Sequence, residues 1–146
     1  MLVVTLGCAV LAWRIEPEIR QREAVKALRA KGGQFAYIVD EDDATYIYAE
    51  QYVAYDYELK APKWPPIILD LSDKPVGRDE LQMISRLTSL QLLDMSSHRV
   101  AFSEEDLSAL YRLSNLNNLL LPYGKVSRKT VSELKIALPH CTVTEW

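Results

Sequence analysis

Two carboxylates, Asp70 and Asp94, hold the same place in two copies of one phrase, Leu69-Asp70-Leu71-Ser72 and Leu93-Asp94-Met95-Ser96. If both phrases are extended and stacked, the two acids lie about 4.8 Å apart, a like-charge pair read first as two hydrated carboxylates on an open face, with attraction of a cationic group as the alternative. Asp94-Met95-Ser96-Ser97-His98 also contains the residue types of a hydrolase triad. Side chains on a strand alternate in direction, so these neighbours cannot link serine to histidine to aspartate. Asp40-Glu41-Asp42-Asp43 is dense in acid but lacks the glycine and the spaced ligands of a calcium loop, and reads as a solvated turn. Cys8 and Cys141 have no metal-ligand partner spacing, which argues against both a disulfide framework and a zinc site. Neither a nucleophile elbow nor a phosphate-binding glycine loop is present, and His98 and His140 fall at turns. The expectation is a protein that is not an enzyme and that takes no cofactor and no metal.

Those acids are positioned by a hydrophobic period. Leu69, Leu71, Val76, Leu81, Ile84, Leu87 and Leu90 are echoed by Leu93, Met95, Val100, Leu107, Leu110, Leu113 and Leu116. A third set follows at Leu119, Leu121, Val126, Val131, Leu134 and Leu138, and Cys141 with Val143 begins a fourth. Taking Leu69, Leu93, Leu119 and Cys141 as equivalent gives steps of 24, 26 and 22 residues. Each unit opens with Leu-x-x-Leu-x-Leu, as in Leu90 to Met95 and Leu116 to Leu121, whose alternation predicts a short strand. Apolar residues three apart then predict a helix or tight helical turn, and Ser103-Glu104-Glu105-Asp106 has the form of a capping box before the second run. A single such unit cannot bury its apolar side, so the units must stack and share one core.

The segment Val76 to Leu90 and its two echoes resemble bacterial leucine-rich repeat proteins, whose units run Leu-x-Leu-Ser-x-x-x-Val followed by leucines at every third position. Ala137-Leu138-Pro139-His140-Cys141-Thr142-Val143 is similar to the usual end of such arrays. The turn position often held by Asn or Thr in that family carries Lys74, His98 and Gly124 here. The resemblance covers about the last eighty residues. It implies an α/β fold: a short leucine-rich repeat solenoid of parallel strands plus helices, with three repeats and a partial fourth over residues 67–146.

Ahead of the repeats, residues 1–13 are apolar, and as a helix would reach about 20 Å, short of the roughly 30 Å hydrocarbon core of a bilayer. Members of the resembled family carry a longer apolar anchor, a helix resembling Gln21-Arg22-Glu23-Ala24-Val25, and a pair like Gly32-Gly33. The leader is therefore expected to be a truncated membrane anchor, with a buried or interfacial helix as the alternative. Pro17 and Gly32-Gly33 bracket a helix over 14–33, supported by Glu16/Arg20 and Glu18/Arg22 pairs at i, i+4. Between Arg14 and Lys31 six basic residues face three acids, a balance suited to anionic headgroups or simply to a solvated helix surface. Residues 34–66 then form an aromatic, acidic segment, with seven acids and no Lys or Arg from Gln34 to Leu59. Alternation at Phe35 to Val39, Tyr46 to Tyr48 and Val53 to Leu59 predicts two or three strands, an antiparallel β cap over the open edge of the first repeat. Trp64-Pro65-Pro66 reads as the hinge into the repeats.

The formal charge of −3 over 146 residues gives no drive towards nucleic acid. The stacked strands would present outward rows Ile68/Leu92/Asn118, Asp70/Asp94/Leu120 and Ser72/Ser96/Pro122, with Leu92 and Leu120 as an exposed apolar patch bordered by acid. The expected function is non-catalytic binding of a protein partner through Ile68, Asp70, Ser72, Leu92, Asp94, Ser96, Asn118 and Leu120. Two alternatives are a structural or self-associating envelope component, and cation or small-ligand binding at the acidic rows. Localisation is expected at a membrane, through contact by residues 1–31.

Overall fold

The computed structural model describes residues 2–40, 45–48, 64–97 and 99–145. His98, Glu41 to Asp43 and the strand expected at Val53 to Leu59 lie outside these residues.

The chain begins with α1, Leu2–Ala30. Leader and expected helix are thus one element, running through Pro17, at a length of about 43 Å. Among the described residues no helix is long and apolar enough to cross a membrane. The i, i+4 pairs form as expected, Glu16 with Arg20, and Glu18 with Arg22 at 2.8 Å. Ala24, Val25 and Leu28 are buried, and α1 packs against the helix of the first repeat. The helix stops at glycine: Gly32 takes φ +89°, and the Lys31 and Gly33 N–H groups both donate to the Leu28 carbonyl, at 3.1 and 3.0 Å.

Two antiparallel strands follow, β1 (Gln34–Asp40) and β2 (Thr45–Tyr48). β1 also pairs antiparallel with β3 (Ile68–Asp70), in the register Gln34 to Asp70, Phe35 to Leu69 and Ala36 to Ile68. The first repeat's strand therefore has its edge covered, as expected. β5 (Leu92–Asp94), β7 (Asn118–Leu121) and β8 (Thr142–Glu145) extend the sheet in parallel, giving the order β2-β1-β3-β5-β7-β8. Two-residue strands β4 (Val76–Gly77) and β6 (Val100–Ala101) pair in parallel beyond the turns.

Parallel strands require crossovers, and here each crossover carries helix: α2 (Arg78–Ile84), the 3-10 helix η1 (Glu104–Arg112) and α3 (Arg128–Ala137). Leu107, Leu110, Leu113 and Leu116 recur at intervals of three and eclipse one another in a 3-10 turn, and Val131, Leu134 and Leu138 mix three with four and suit an α-helix; Leu81, Ile84, Leu87 and Leu90 also recur at three, and there the α-helix ends at Ile84. Ser103 and Asp106 cap η1 as anticipated, the Ser103 N–H and hydroxyl both donating to the Asp106 carboxylate at 2.9 Å.

Leu69, Leu93 and Leu119 are fully buried and stand in register, together with the leucines of the three helical segments. The partner of Leu119 on β8 is Val143, not Cys141. The fourth unit is therefore phased two residues later than the sequence suggested, at a step equal to the first. Val143 is buried and Cys141 only half-buried. The result is a mixed α/β fold with a mostly parallel sheet, helical crossovers and a single leucine core between them.

Candidate interaction face

Leu69 and Leu93 point to the core, so Ile68, Asp70, Leu92 and Asp94 occupy the opposite face. Register places Ile68 beside Leu92, Leu92 beside Asn118, and Asn118 beside Thr142. The neighbouring row runs Asp70, Asp94, Leu120 and Thr144. Two of the three rows expected from the sequence are thus brought together, while Ser72, Ser96 and Pro122 lie past the strand ends and Pro122 is buried; β1 sets exposed Gln34 beside Asp70 and fully buried Ala36 beside Ile68. Gln34 and Ala36 escaped the sequence argument because an antiparallel cap reverses chain direction, and its register is invisible to a repeat count.

Two details differ from expectation. Leu92 and Leu120 are half-buried instead of exposed, because strands on both sides crowd them. Among the described residues the large hydrophobics with substantial exposure are Ile19, Tyr111, Tyr123 and Ile136, none of them on these rows. The acids also have local work. Asp70 Oδ1 accepts the Ser72 N–H at 2.8 Å and Asp94 Oδ1 accepts the Ser96 N–H at 2.9 Å, each closing an Asx turn where its strand ends. Leu120 and Pro122 cannot repeat that turn, and the third row position is apolar. Among the described residues no group of three or more metal-ligating side chains occurs.

Backbone hydrogen bonds fix the rows rigidly. Leu71 N–H donates to the Asp94 carbonyl at 2.8 Å and Met95 N–H to the Leu120 carbonyl at 2.9 Å, one unit apart. Ser89 Oγ and Asn115 Nδ2 add matching ties, at 2.8 Å each, to carbonyls of Pro66 and Thr88 in the preceding unit. On the helical side, Arg78 Nε donates to Asp106 Oδ1 at 2.8 Å, and Lys31 joins α1 to Glu80 of α2. Burial alone would raise the Glu80 carboxyl, yet the bonds from Lys31 and the Gly77 N–H carry it below its ordinary value. At the cap, burial raises the Tyr37 phenol, and Arg29 opposes this through a 2.7 Å bond to its oxygen. Arg22 stacks over Trp64 at 4.7 Å, pinning the entry to the repeats against α1.

A cleft of about 430 Å3 that the repeat pattern does not announce lies between α1 and the ends of α2 and η1, lined by Arg20, Arg86 and Arg112. Its signal was present: Arg86 and Arg112 each sit two residues past a core residue, Ile84 and Leu110, in successive units.

His140 lies exposed in the turn before β8. Compared with known proteins, this chain matches no family and no curated protein.

Proposed function

We propose that this chain is a short leucine-rich repeat solenoid that binds a protein partner, without catalysis, through the outward face of β3, β5 and β7. The observation carrying this reading is the in-register parallel ladder, which stacks Ile68, Leu92 and Asn118 beside Asp70, Asp94 and Leu120 above a continuous leucine core. A rigid face with half-buried leucines and an acidic row suits a basic or amphipathic segment. The apolar run at the start of α1 and the net positive charge between Arg14 and Lys31 support membrane contact at this end of the chain.

The test is crosslinking capture from native extract with the intact chain and with a variant carrying Asp70→Lys, Asp94→Lys and Leu120→Ala, both shown to be folded by circular dichroism. A protein captured by the first and absent from the second supports the face as the site; equal capture sinks it. A self-associating component is the second reading, favoured by one observation: among the described residues β8 is the last strand of the sheet, and its Thr142, Thr144 and Glu145 are exposed. Sedimentation showing concentration-dependent dimers that Thr144→Pro abolishes would select it.

A further inference from the structure

The cleft between α1 and the C-terminal ends of α2 and η1 is independent of the sheet face and has a different chemistry. Its volume is about 430 Å3, and its polar lining includes Glu16, Arg20, Gln21, Arg86, Thr88 and Arg112. That size accommodates a phosphoryl group with a small organic substituent. Three guanidinium groups meet one carboxylate there, and Glu16 is committed to Arg20. Arg86 and Arg112 make no ion pair and no side-chain hydrogen bond among the described residues. Other inter-element cations have partners, Lys31 with Glu80, Arg78 with Asp106 and Arg29 with the Tyr37 hydroxyl. Thr88 Oγ1 accepts a bond from Gln21 Nε2 at 3.4 Å, which leaves the threonine proton available to an incoming oxygen.

The repeat explains how two free arginines converge. Arg86 follows buried Ile84 and precedes buried Leu87; Arg112 stands identically between Leu110 and Leu113. Stacking the units therefore stacks the arginines. The carbonyl end of a helix favours one cation, which accounts for a single arginine at each terminus but not for both facing one cleft with Arg20. In the third unit the same offset is Ile136, so the basic row stops there.

We propose that this cleft binds a phosphate-type anion, held by the guanidinium groups of Arg86 and Arg112 with Thr88 as a further donor. Planar guanidinium forks match phosphate oxygens and need no acidic partner once the anion is seated. Because α1 continues from Glu16 back into the apolar run Leu2–Trp13, the phosphate can belong to a soluble ester or to an anionic lipid headgroup.

The experiment titrates the full chain with inorganic phosphate and with glycerol 3-phosphate by calorimetry at low salt, and measures flotation with phosphatidylcholine vesicles with and without phosphatidylglycerol. The variants are Arg86→Gln/Arg112→Gln, Glu16→Gln, and Arg128→Gln as an exposed cation outside the cleft. The double variant is expected to weaken anion binding by about tenfold or more, since two charge-assisted contacts are lost. Glu16→Gln is expected to strengthen it by freeing Arg20, and Arg128→Gln to leave it unchanged. Ester binding without a preference for the anionic vesicles assigns a soluble ligand; an anionic-vesicle preference lost in the double variant assigns a headgroup. Absence of both, phosphate and ester binding unchanged in the double variant, or equal weakening by Arg128→Gln overturns the proposal.

Discussion

Glu104, in the first turn of η1, holds Ser127, the N-cap of α3: one carboxylate oxygen accepts the Ser127 N–H at 3.0 Å and the other its hydroxyl at 2.6 Å. The Thr130 hydroxyl donates to the same carboxylate. Three donors stitch two repeat units through one acid. The hydrogen bonds from Ser127 and then Thr130 lower the Glu104 carboxyl below its ordinary value of 4.5. A carboxyl that is more acidic when folded stabilises the fold above the unfolded-state value, and loses that contribution as pH falls through the folded one. Melting temperature should therefore drop as the solution is acidified below 4.5, and Glu104→Gln should show a shallower drop. The slope does not vanish, because Asp106 is lowered in the same sense by Ser103 and by Arg78. Parallel slopes for the two proteins would remove Glu104 from the linkage.

Burial along the stack predicts a gradient in the cost of truncation. Leu93 lies in the central unit, has no exposure, and is flanked in register by Leu69 and Leu119. Leu93→Ala leaves a cavity that neither neighbouring strand can close, at a cost of about 2–5 kcal/mol. That is a large share of the roughly 5–15 kcal/mol that holds a domain folded. Val143 stands on the last strand at 8% exposure, and Val143→Ala should cost less than about 2 kcal/mol. Urea midpoints of the two variants give the comparison directly. Equal costs would mean that β8 is as enclosed as β5.

The phased leucines made the strand ladder and its helical crossovers legible, because each Leu-x-x-Leu-x-Leu phrase offers its strand only one face that buries all its leucines. Phase was lost where that constraint weakens. In the fourth unit the position of Leu90 and Leu116 is taken by the polar His140, leaving only Cys141 and Val143. Two apolar residues spaced by two fit either register, and backbone pairing of Thr142 with Asn118 decided the matter. The outward rows were legible for the same reason as the core. Their exposure was not, because crowding by neighbouring strands is a tertiary effect. The Arg86 and Arg112 pair needed the stack itself, since α1 supplies the third wall of that cleft from more than sixty residues away.

Gly33 marks where α1 meets β3. A Cβ there would sit 3.1 Å from the Leu28 carbonyl oxygen, 3.2 Å from Leu69 Cδ1 and 3.2 Å from Leu71 Cδ2. None of the three can retreat easily, as the carbonyl caps the helix and both leucines are buried. Gly33→Ala is expected to cost about 1–3 kcal/mol by overpacking. Trimming a neighbour should relieve it: Gly33→Ala with Leu71→Val should lose less stability than the two single changes added together. Strict additivity in denaturant melts would place the strain elsewhere.

Cys141 gives a local probe of the end of the stack. Its thiol is half-buried, its hydrogen directed to the Thr142 carbonyl at 3.8 Å, and burial pushes its pKa from 9.0 to about 11. Only the thiolate attacks an alkylating reagent. At pH 8 the thiolate fraction is then about a hundred times smaller in the folded chain than in the unfolded one, since two units of pKa are two decades of ionisation. Iodoacetamide should label Cys141 about a hundredfold more slowly in buffer than in urea, read from the Cys141 peptide by mass spectrometry so that Cys8 does not interfere. Val143→Ala loosens β8 beside it and should raise the native rate without changing the rate in urea. A native rate matching the urea rate would show that β8 spends much of its time detached, and would leave the edge of β7 as the working end of the sheet.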